Sequence, residues 1–136
     1  MSYGVALALQ TAVFQRLTAH APLTALVGSA IFDAPPTGIL PAIYVALGPE
    51  TARDRSDKTG RGAEHEFTIS VVTEASGFAT AKAAAAAVSD ALVDAPLTLA
   101  RGSLVALNFT RAVAARIGAG DQRQVDLIFR ARVEDN

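Results

Sequence analysis

Apolar residues recur at helical spacing in two stretches of the chain. From Val5 to Leu17 they return every four residues, which predicts an amphipathic helix over Val5–Ala19. A second stripe within an alanine-rich stretch predicts a helix over Phe78–Val93, with Ser76 as its N-cap. A short further turn of helix is expected over Pro22–Val27.

Strands are predicted where apolar and polar residues alternate. The alternation is clearest in the middle and at the end of the chain. In the fourth strand, Val105, Leu107 and Phe109 are expected to share one face, and Gly118 to Asp121 should form the hairpin turn that follows it. The predicted strands are Ile31–Ala34, Ala42–Leu47, Glu66–Val72, Leu104–Ala115 and Val125–Val133.

The order of these elements predicts the fold class. A helix, two or three strands, a second helix and two final strands favour an α+β fold. We expect a mainly antiparallel sheet of about four strands with two helices packed on one face. The 136 residues fit a single domain over 1–136.

Charge is distributed unevenly along the chain. Nine of the 25 charged residues lie between Glu50 and Glu66, whereas the first 49 residues hold two. The segment contains Gly60 and Gly62 and shows no apolar periodicity, so its middle is predicted to be a mobile loop. The residues expected to form this protein-interaction loop are Glu50, Arg53, Asp54, Arg55, Asp57, Lys58, Arg61 and Glu64.

The first helix has very few charges with which to solvate an outer face. Soluble monomers normally place charged side chains there. We therefore expect another subunit to cover part of this face. The alternative is a weakly polar surface of alanine and threonine.

Residue patterns for catalysis or metal binding are lacking. The chain has no cysteine, which favours a reducing compartment, and no nucleophile-elbow or P-loop spacing. His65 lies between Glu64 and Glu66, but alternation along a strand would turn it away from both. No catalytic, cofactor-binding or metal-ligating residue, and no cofactor, is therefore expected.

Composition also limits the classes of partner. The formal net charge of −1 provides no general attraction to nucleic acid or anionic lipid. No stretch approaches the ~20 apolar residues of a membrane span, and no basic residue precedes Arg16 to begin a secretory signal. No membrane contact is expected.

Arginines are concentrated in the last third of the chain. Arg130 and Arg132 should share the sheet face opposite Phe129. They could form inter-subunit ion pairs, lie near passing DNA, or solvate an outer face. In the third case their charges would be balanced by Asp126, Glu134 and Asp135.

Five segments carry a resemblance to a known family, in an order and spacing that extend over essentially the whole chain. They are Leu9–Gly28 (LQTAVFQRLTAHAPLTALVG), Ile43–Glu50 (IYVALGPE), Lys58–Glu74 (KTGRGAEHEFTISVVTE), Gly77–Lys82 (GFATAK) and Leu127–Asp135 (LIFRARVED). The chain resembles the tail terminator (tail completion) proteins of long-tailed phages, and most closely the version found in gene transfer agents.

That resemblance implies a structural protein without catalytic residues. Members form a ring, usually a hexamer, at the head-proximal end of the tail tube. There the ring stops tube polymerisation and joins the tail to a head-side connector or stopper protein. The implied partners are further copies of the chain, the tube protein and the connector, with DNA only passing through the lumen. Assembly in the bacterial cytoplasm, followed by a place in the tail or neck of a phage-like particle, is also implied.

Two other functions are compatible with the residues. A small-molecule-binding regulatory α+β domain would share this fold class and would need an apolar pocket with convergent polar groups. A hydrolase or metal enzyme would have to use His65. The resemblance favours the structural role over both.

Overall fold

The computed structural model describes residues 3–58, 60–118 and 122–135. Three helices and five strands follow one another along the chain. They are α1 Ala6–Ala19, α2 Ala21–Val27, β1 Ile31–Phe32, β2 Ile43–Asp54, β3 Arg61–Thr73, α3 Ala79–Leu92, β4 Ser103–Ile117 and β5 Gln122–Asp135. None of the helices in the described part of the chain is long and apolar enough to span a membrane.

The five strands form one sheet in the order β1-β2-β3-β5-β4. Strand β1 runs parallel to β2, and all other neighbours are antiparallel. Ile31, Val45, Val71, Val125 and Ala114 are successive partners in one row across all five strands. The predicted α+β class and the mainly antiparallel sheet are confirmed. The sheet has five strands rather than about four because β1 joins it, and the turn expected over Pro22–Val27 forms the short helix α2.

The core lies between the helices and one face of the sheet. In α3 the buried positions are mostly alanine, and such small side chains let the helix approach β3 and β5 closely. Phe129 is fully buried and stacks on Phe67, with ring centroids 5.7 Å apart. In the described part of the chain, no helix packs on the other face of the sheet, which holds a small apolar cluster around Tyr44 and Val72.

Helix α1 buries the predicted stripe. Leu9, Val13 and Leu17 are all buried, which confirms the periodicity. The single basic residue of α1, Arg16, donates from Nε to the Ala91 carbonyl oxygen at 2.8 Å and thereby connects α1 to α3. Apart from Arg16, the exposed side of the helix presents Leu7, Ala19 and uncharged polar residues. Its coverage by another subunit remains a prediction.

The predicted N-cap of α3 is wrong. The helix begins at Ala79 after Phe78, and no side chain caps it. Ser76 lies further upstream, where its carbonyl oxygen accepts a hydrogen bond of 3.0 Å from Arg123 Nη2. Ser76 therefore belongs to a turn that a distant arginine holds.

One predicted strand face is also wrong. A bulge between Leu104 and Ala106 inserts an extra residue into β4, so that Val105 is 53% exposed while Leu107 is buried. Phe109 keeps the face of Leu107 but is 43% exposed. The predicted turn after β4 includes residues 119–121, which lie outside the described part of the chain. On either side of them, Ile117 and Gln122 pair with each other.

Candidate interaction site at a charged hairpin

The charged segment forms a β-hairpin. Strand β2 continues to Asp54 and β3 begins at Arg61, so the predicted loop is limited to residues 55–60. On the core side of this stretch, Ala63 and His65 are buried and Ala52 is opposite His65. Since these residues are small or polar, the strands lack apolar alternation, and sequence periodicity misses them. We call residues 50–66 the charged hairpin; the mobility of its turn remains a prediction.

Hydrogen bonds accepted by acidic side chains shape the turn. Asp54 accepts from the Ser56 hydroxyl at 2.6 Å and from the Ser56 amide at 3.1 Å. These two bonds hold the pKa of Asp54 below its ordinary value. Asp57 Oδ1 accepts from the Gly60 amide at 2.9 Å, and Arg55 N donates to the Gly62 carbonyl oxygen at 2.8 Å. Both aspartates thus have a structural role in the turn.

Glu64 is the centre of an ion-pair cluster on the outer face of the hairpin. Its Oε2 accepts from Arg53 Nε at 2.6 Å, and its Oε1 lies 3.6 Å from Arg55 Nη2 and 3.7 Å from Arg130 Nε. Partial burial of the carboxylate acts to raise its pKa. The hydrogen bond from Arg53 and the positive charges of the three arginines outweigh burial, so the pKa of Glu64 lies below its ordinary value.

Arg130 and Arg132 lie on the outer face, as their spacing predicts. Residues directly opposite in the pairing share a face, and Arg132 is opposite Glu64 while Arg130 is opposite Glu66. Two of the carboxylates expected to balance them have other partners. Asp126 accepts from Ser70 and Gln124, and Asp135 pairs with Arg101. Glu64, which is diagonal to Arg130 in the register of β3 and β5, balances its charge at 3.7 Å.

The root of the hairpin holds a cluster of Tyr3, Glu50 and His65. The Tyr3 hydroxyl donates to Glu50 Oε1 at 2.7 Å, and its ring stacks on His65 with centroids 6.0 Å apart. Glu50 Oε2 lies 3.4 Å from His65 Nδ1. The hydrogen bond to Glu50 and the negative charge of that carboxylate raise the pKa of Tyr3. Tyr3 is 47 positions from Glu50, and no spacing rule in the sequence links them.

His65 itself is fully buried on the core face. The pairing register confirms that it turns away from Glu64 and Glu66, as strand alternation requires. Neither of its ring nitrogens has a hydrogen-bond partner among the described residues. In the same part of the chain no three histidine, aspartate or glutamate side chains come together as a metal site would require.

The eight predicted interaction residues are thus divided among three places. Glu50 lies at the root, Arg53, Arg55 and Glu64 form the outer cluster, and the others belong to the turn and the start of β3. Four of the eight are acidic and four are basic, so the formal charge of the set is zero. The result is an exposed surface of both signs whose charges are partly paired within the hairpin, with Lys58 and Arg61 exposed near its tip.

Comparisons with known proteins agree with this architecture. A chain of a solved structure titled "Virion of native gene transfer agent (GTA) particle" is 64% identical. The match covers 98% of this chain and 99% of that chain, with a TM-score of 0.92. A search of the curated proteins found no match. The family model described as "Tail completion protein gp17" matches residues 11–134. The resemblance noted from the sequence is confirmed, and the chain belongs to the tail completion protein gp17 family.

Proposed function

We propose that this protein is a structural component of a phage-like particle and forms a ring at the head-proximal end of the tail tube. The ring stops tube polymerisation and joins the tail to the head-side connector or stopper protein. Six copies form the ring, and DNA passes through its lumen. Assembly takes place in the bacterial cytoplasm before the ring becomes part of the tail or neck.

The similarity to a chain of the gene transfer agent virion carries this proposal. At 64% identity over nearly the full length of both chains, the two share their fold and most of their residues. A contact that one chain makes inside a particle is therefore available to the other. The family match extends over residues 11–134. This range contains every described helix and strand except the first residues of α1 and the last residue of β5.

The charged hairpin supports a docking role within that ring. Its two strands form part of the sheet, so its ion pairs are held in place before any partner arrives. Lys58 and Arg61 are exposed near the tip and can meet carboxylates of a neighbouring protein. We propose that the tip contacts the tube protein or the connector.

The described residues also support a role without catalysis. His65, the residue on which an enzyme hypothesis depended, has no exposed surface and lies beneath the ring of Tyr3. A general base must come within hydrogen-bond reach of its substrate. A buried ring in this position has a structural role.

Ligand binding has less support. A surface groove of about 530 Å³ lies between α1 and residues 98–101 and is lined mainly by apolar side chains such as Leu7 and Leu99. Its one charged residue, Arg101, forms a two-point pair with Asp135 at 3.0 and 2.8 Å. The other polar side chains that line the groove are the uncharged Thr11, Gln15 and Thr98.

Electron microscopy of particles made without this protein tests the proposal. We expect tail tubes of irregular length without heads attached, since nothing would stop tube growth or join the connector. Expression of the gene from a second locus is the control and should restore uniform tails. Uniform tails joined to heads in the deletion strain would contradict the proposal.

A further inference from the structure

Strand β4 leaves a long stretch of sheet edge uncovered. It is the last strand of the sheet and pairs only with β5 among the described residues. Every residue from 109 to 116 is exposed, and Val113 is 44% exposed. Natural proteins normally protect such an edge with proline, with many charges, with a short strand or with a covering element. Residues 109–116 contain no proline and two charges.

The opposite edge of the sheet is formed by two different strands. Beyond Ala46, β2 has an open side, but Pro49 and a bulge between Leu47 and Glu50 disrupt its backbone pattern. Next to it, β1 presents the residues Ile31 and Phe32 with a regular ladder to Val45 and Ala46. The part of this edge able to extend the sheet is therefore β1.

The exposed part of β4 and strand β1 lie at the same height along the strand direction, at the two ends of the same rows of paired residues. One row of partners has Ile31 at one end and Ala114 at the other, and the next row runs from Phe32 to Val113. The alternation of strand directions makes β1 and β4 antiparallel to each other. A second copy related by rotation about an axis along the strands would place its β1 beside β4, antiparallel and without a shift along the axis.

Charge favours this pairing over pairing between two β4 edges. Arg111 and Arg116 are the only charged residues of β4. Two β4 strands paired with each other would bring only arginines to the junction, with no carboxylate to balance them, which is unfavourable. Asp33 immediately follows β1, is exposed, and is the only charged residue between Ile31 and Ala42. The β1 edge therefore offers the carboxylate that the β4 edge lacks.

We propose that the ring closes by sheet extension, in which β4 of one copy pairs with β1 of the next, and Arg111 meets Asp33 at the junction. The proposal rests on the ring function given above and names the surfaces that build it. Such a contact is heterologous, because two different edges meet, and repeated rotation closes it into a ring. Ala112, Ala114 and Ala115 keep the β4 edge free of large side chains that would obstruct the neighbour.

Disulfide cross-linking in the natural cysteine-free background provides the test. Asp33→Cys is combined in turn with Ala112→Cys, Val113→Cys, Ala114→Cys and Ala115→Cys, all at exposed positions. Within one chain the two edges are four strand spacings apart, about 19 Å. A disulfide requires Cα atoms within about 7 Å, so any bond formed must join two copies. We expect a ladder of linked multimers for at least one pair under mild oxidation.

Matched controls separate this contact from random collision. Each single-cysteine variant, and the pair Asp33→Cys with Lys58→Cys at the hairpin tip, should give no ladder. A protein with the mass of a ring that yields no link at any of the four positions would overturn sheet extension but leave the ring function intact. A protein that remains monomeric at all concentrations and does not bind tail tubes would overturn both.

Charge reversal provides a second measurement. Arg111→Glu should raise the concentration needed for half-assembly by about three- to tenfold, since an attractive pair becomes repulsive. Adding Asp33→Arg to that variant should restore assembly, whereas Arg61→Glu on the hairpin should leave ring formation unchanged. Equal effects of Arg111→Glu and Arg61→Glu would count against the proposed edge.

Discussion

Arg53 and Glu64 are directly opposite each other on β2 and β3, and Arg53 Nε donates a hydrogen bond of 2.6 Å to Glu64 Oε2. The same carboxylate lies within 3.7 Å of nitrogens of Arg55 and Arg130. One negative charge thus separates three guanidinium groups that would otherwise repel one another. This arrangement makes Glu64 the most informative position of the charged hairpin.

Replacing Glu64 with glutamine should lower the free energy of unfolding by about 1 kcal/mol at neutral pH, because the arginines lose their common partner. Urea unfolding followed by circular dichroism measures the change. Glu66→Gln, also on the outer face but exposed, is the control and should change the free energy by less than about 0.5 kcal/mol. Equal losses for the two variants would contradict a special role for Glu64.

The stabilisation by Glu64 should depend on pH. Its pKa is lower in the folded protein than in the unfolded chain. The contribution is therefore present above the ordinary glutamate pKa, about 4.3, and is lost as the pH falls through the lower folded pKa. The difference in unfolding free energy between the natural protein and Glu64→Gln should shrink between pH 5 and about pH 3. A difference that stays constant over this range would contradict the ion-pair explanation.

Tyr3 should ionise at higher pH than an ordinary tyrosine. Its hydroxyl donates to Glu50, which raises the pKa, so the stability that this bond contributes is lost as the pH rises through the folded pKa. Ultraviolet absorbance of tyrosinate measures the ionisation, and Tyr3→Phe identifies the signal of Tyr3 against that of Tyr44. Glu50→Gln should move the pKa of Tyr3 towards its ordinary value, about 10. No movement would mean that the two side chains are not bonded in solution.

Gly62 should be essential to the hairpin backbone. A Cβ atom at this position would overlap the carbonyl oxygen of Arg55, which is part of the backbone and cannot turn aside. Gly62→Ala should therefore lower the free energy of unfolding by about 1–3 kcal/mol. Gly77→Ala is the matched control, because a Cβ there meets no atom within 4 Å. A loss of the same size at Gly77 would indicate a general effect of replacing glycine.

The hairpin tip should affect docking without affecting folding. Arg53 and Arg55 pair with Glu64, so reversing their charges would also disturb the hairpin. Lys58→Glu combined with Arg61→Glu leaves that cluster intact. This variant should keep the natural circular dichroism spectrum and reduce the yield of complete particles by about tenfold.

The control for this variant is a lysine-to-glutamate substitution away from the hairpin. Lys82→Glu lies on α3, where the amine contacts the ring of Phe78, and should leave particle yield unchanged. Loss of folding in the Lys58 and Arg61 variant would show that the tip has a structural role. Normal particle yield in that variant would remove the tip from the interaction site.

Sequence periodicity predicts the elements whose apolar residues face one core. The stripe from Val5 to Leu17 and the alternation from Phe67 to Val71 correspond to buried positions in α1 and β3. A stripe or an alternation arises because one side of the element excludes water. Such local patterns were sufficient to predict the class of fold and the arrangement of helices on one face.

The same reasoning fails where small or polar residues occupy the core side. The core side of the hairpin is formed by Ala52, Ala63 and His65, which give no apolar alternation in the sequence. Periodicity therefore predicts a loop where β2 and β3 continue. The bulge at Val105 shifts the alternation of β4 by one residue. Both features depend on pairing with a neighbouring strand, which local sequence does not contain.

The sequence by itself determined the α+β class, the family and the concentration of charge in residues 50–66, because each is recorded in the order of residue types. Only the tertiary structure decided how that charge is used. The register of β2, β3 and β5 brings Arg53, Arg55 and Arg130 to Glu64, and chain reversal brings Tyr3 to Glu50 across 47 positions. These contacts join residues distant in the chain, and their energies depend on distances and burial that arise only when the sheet has formed.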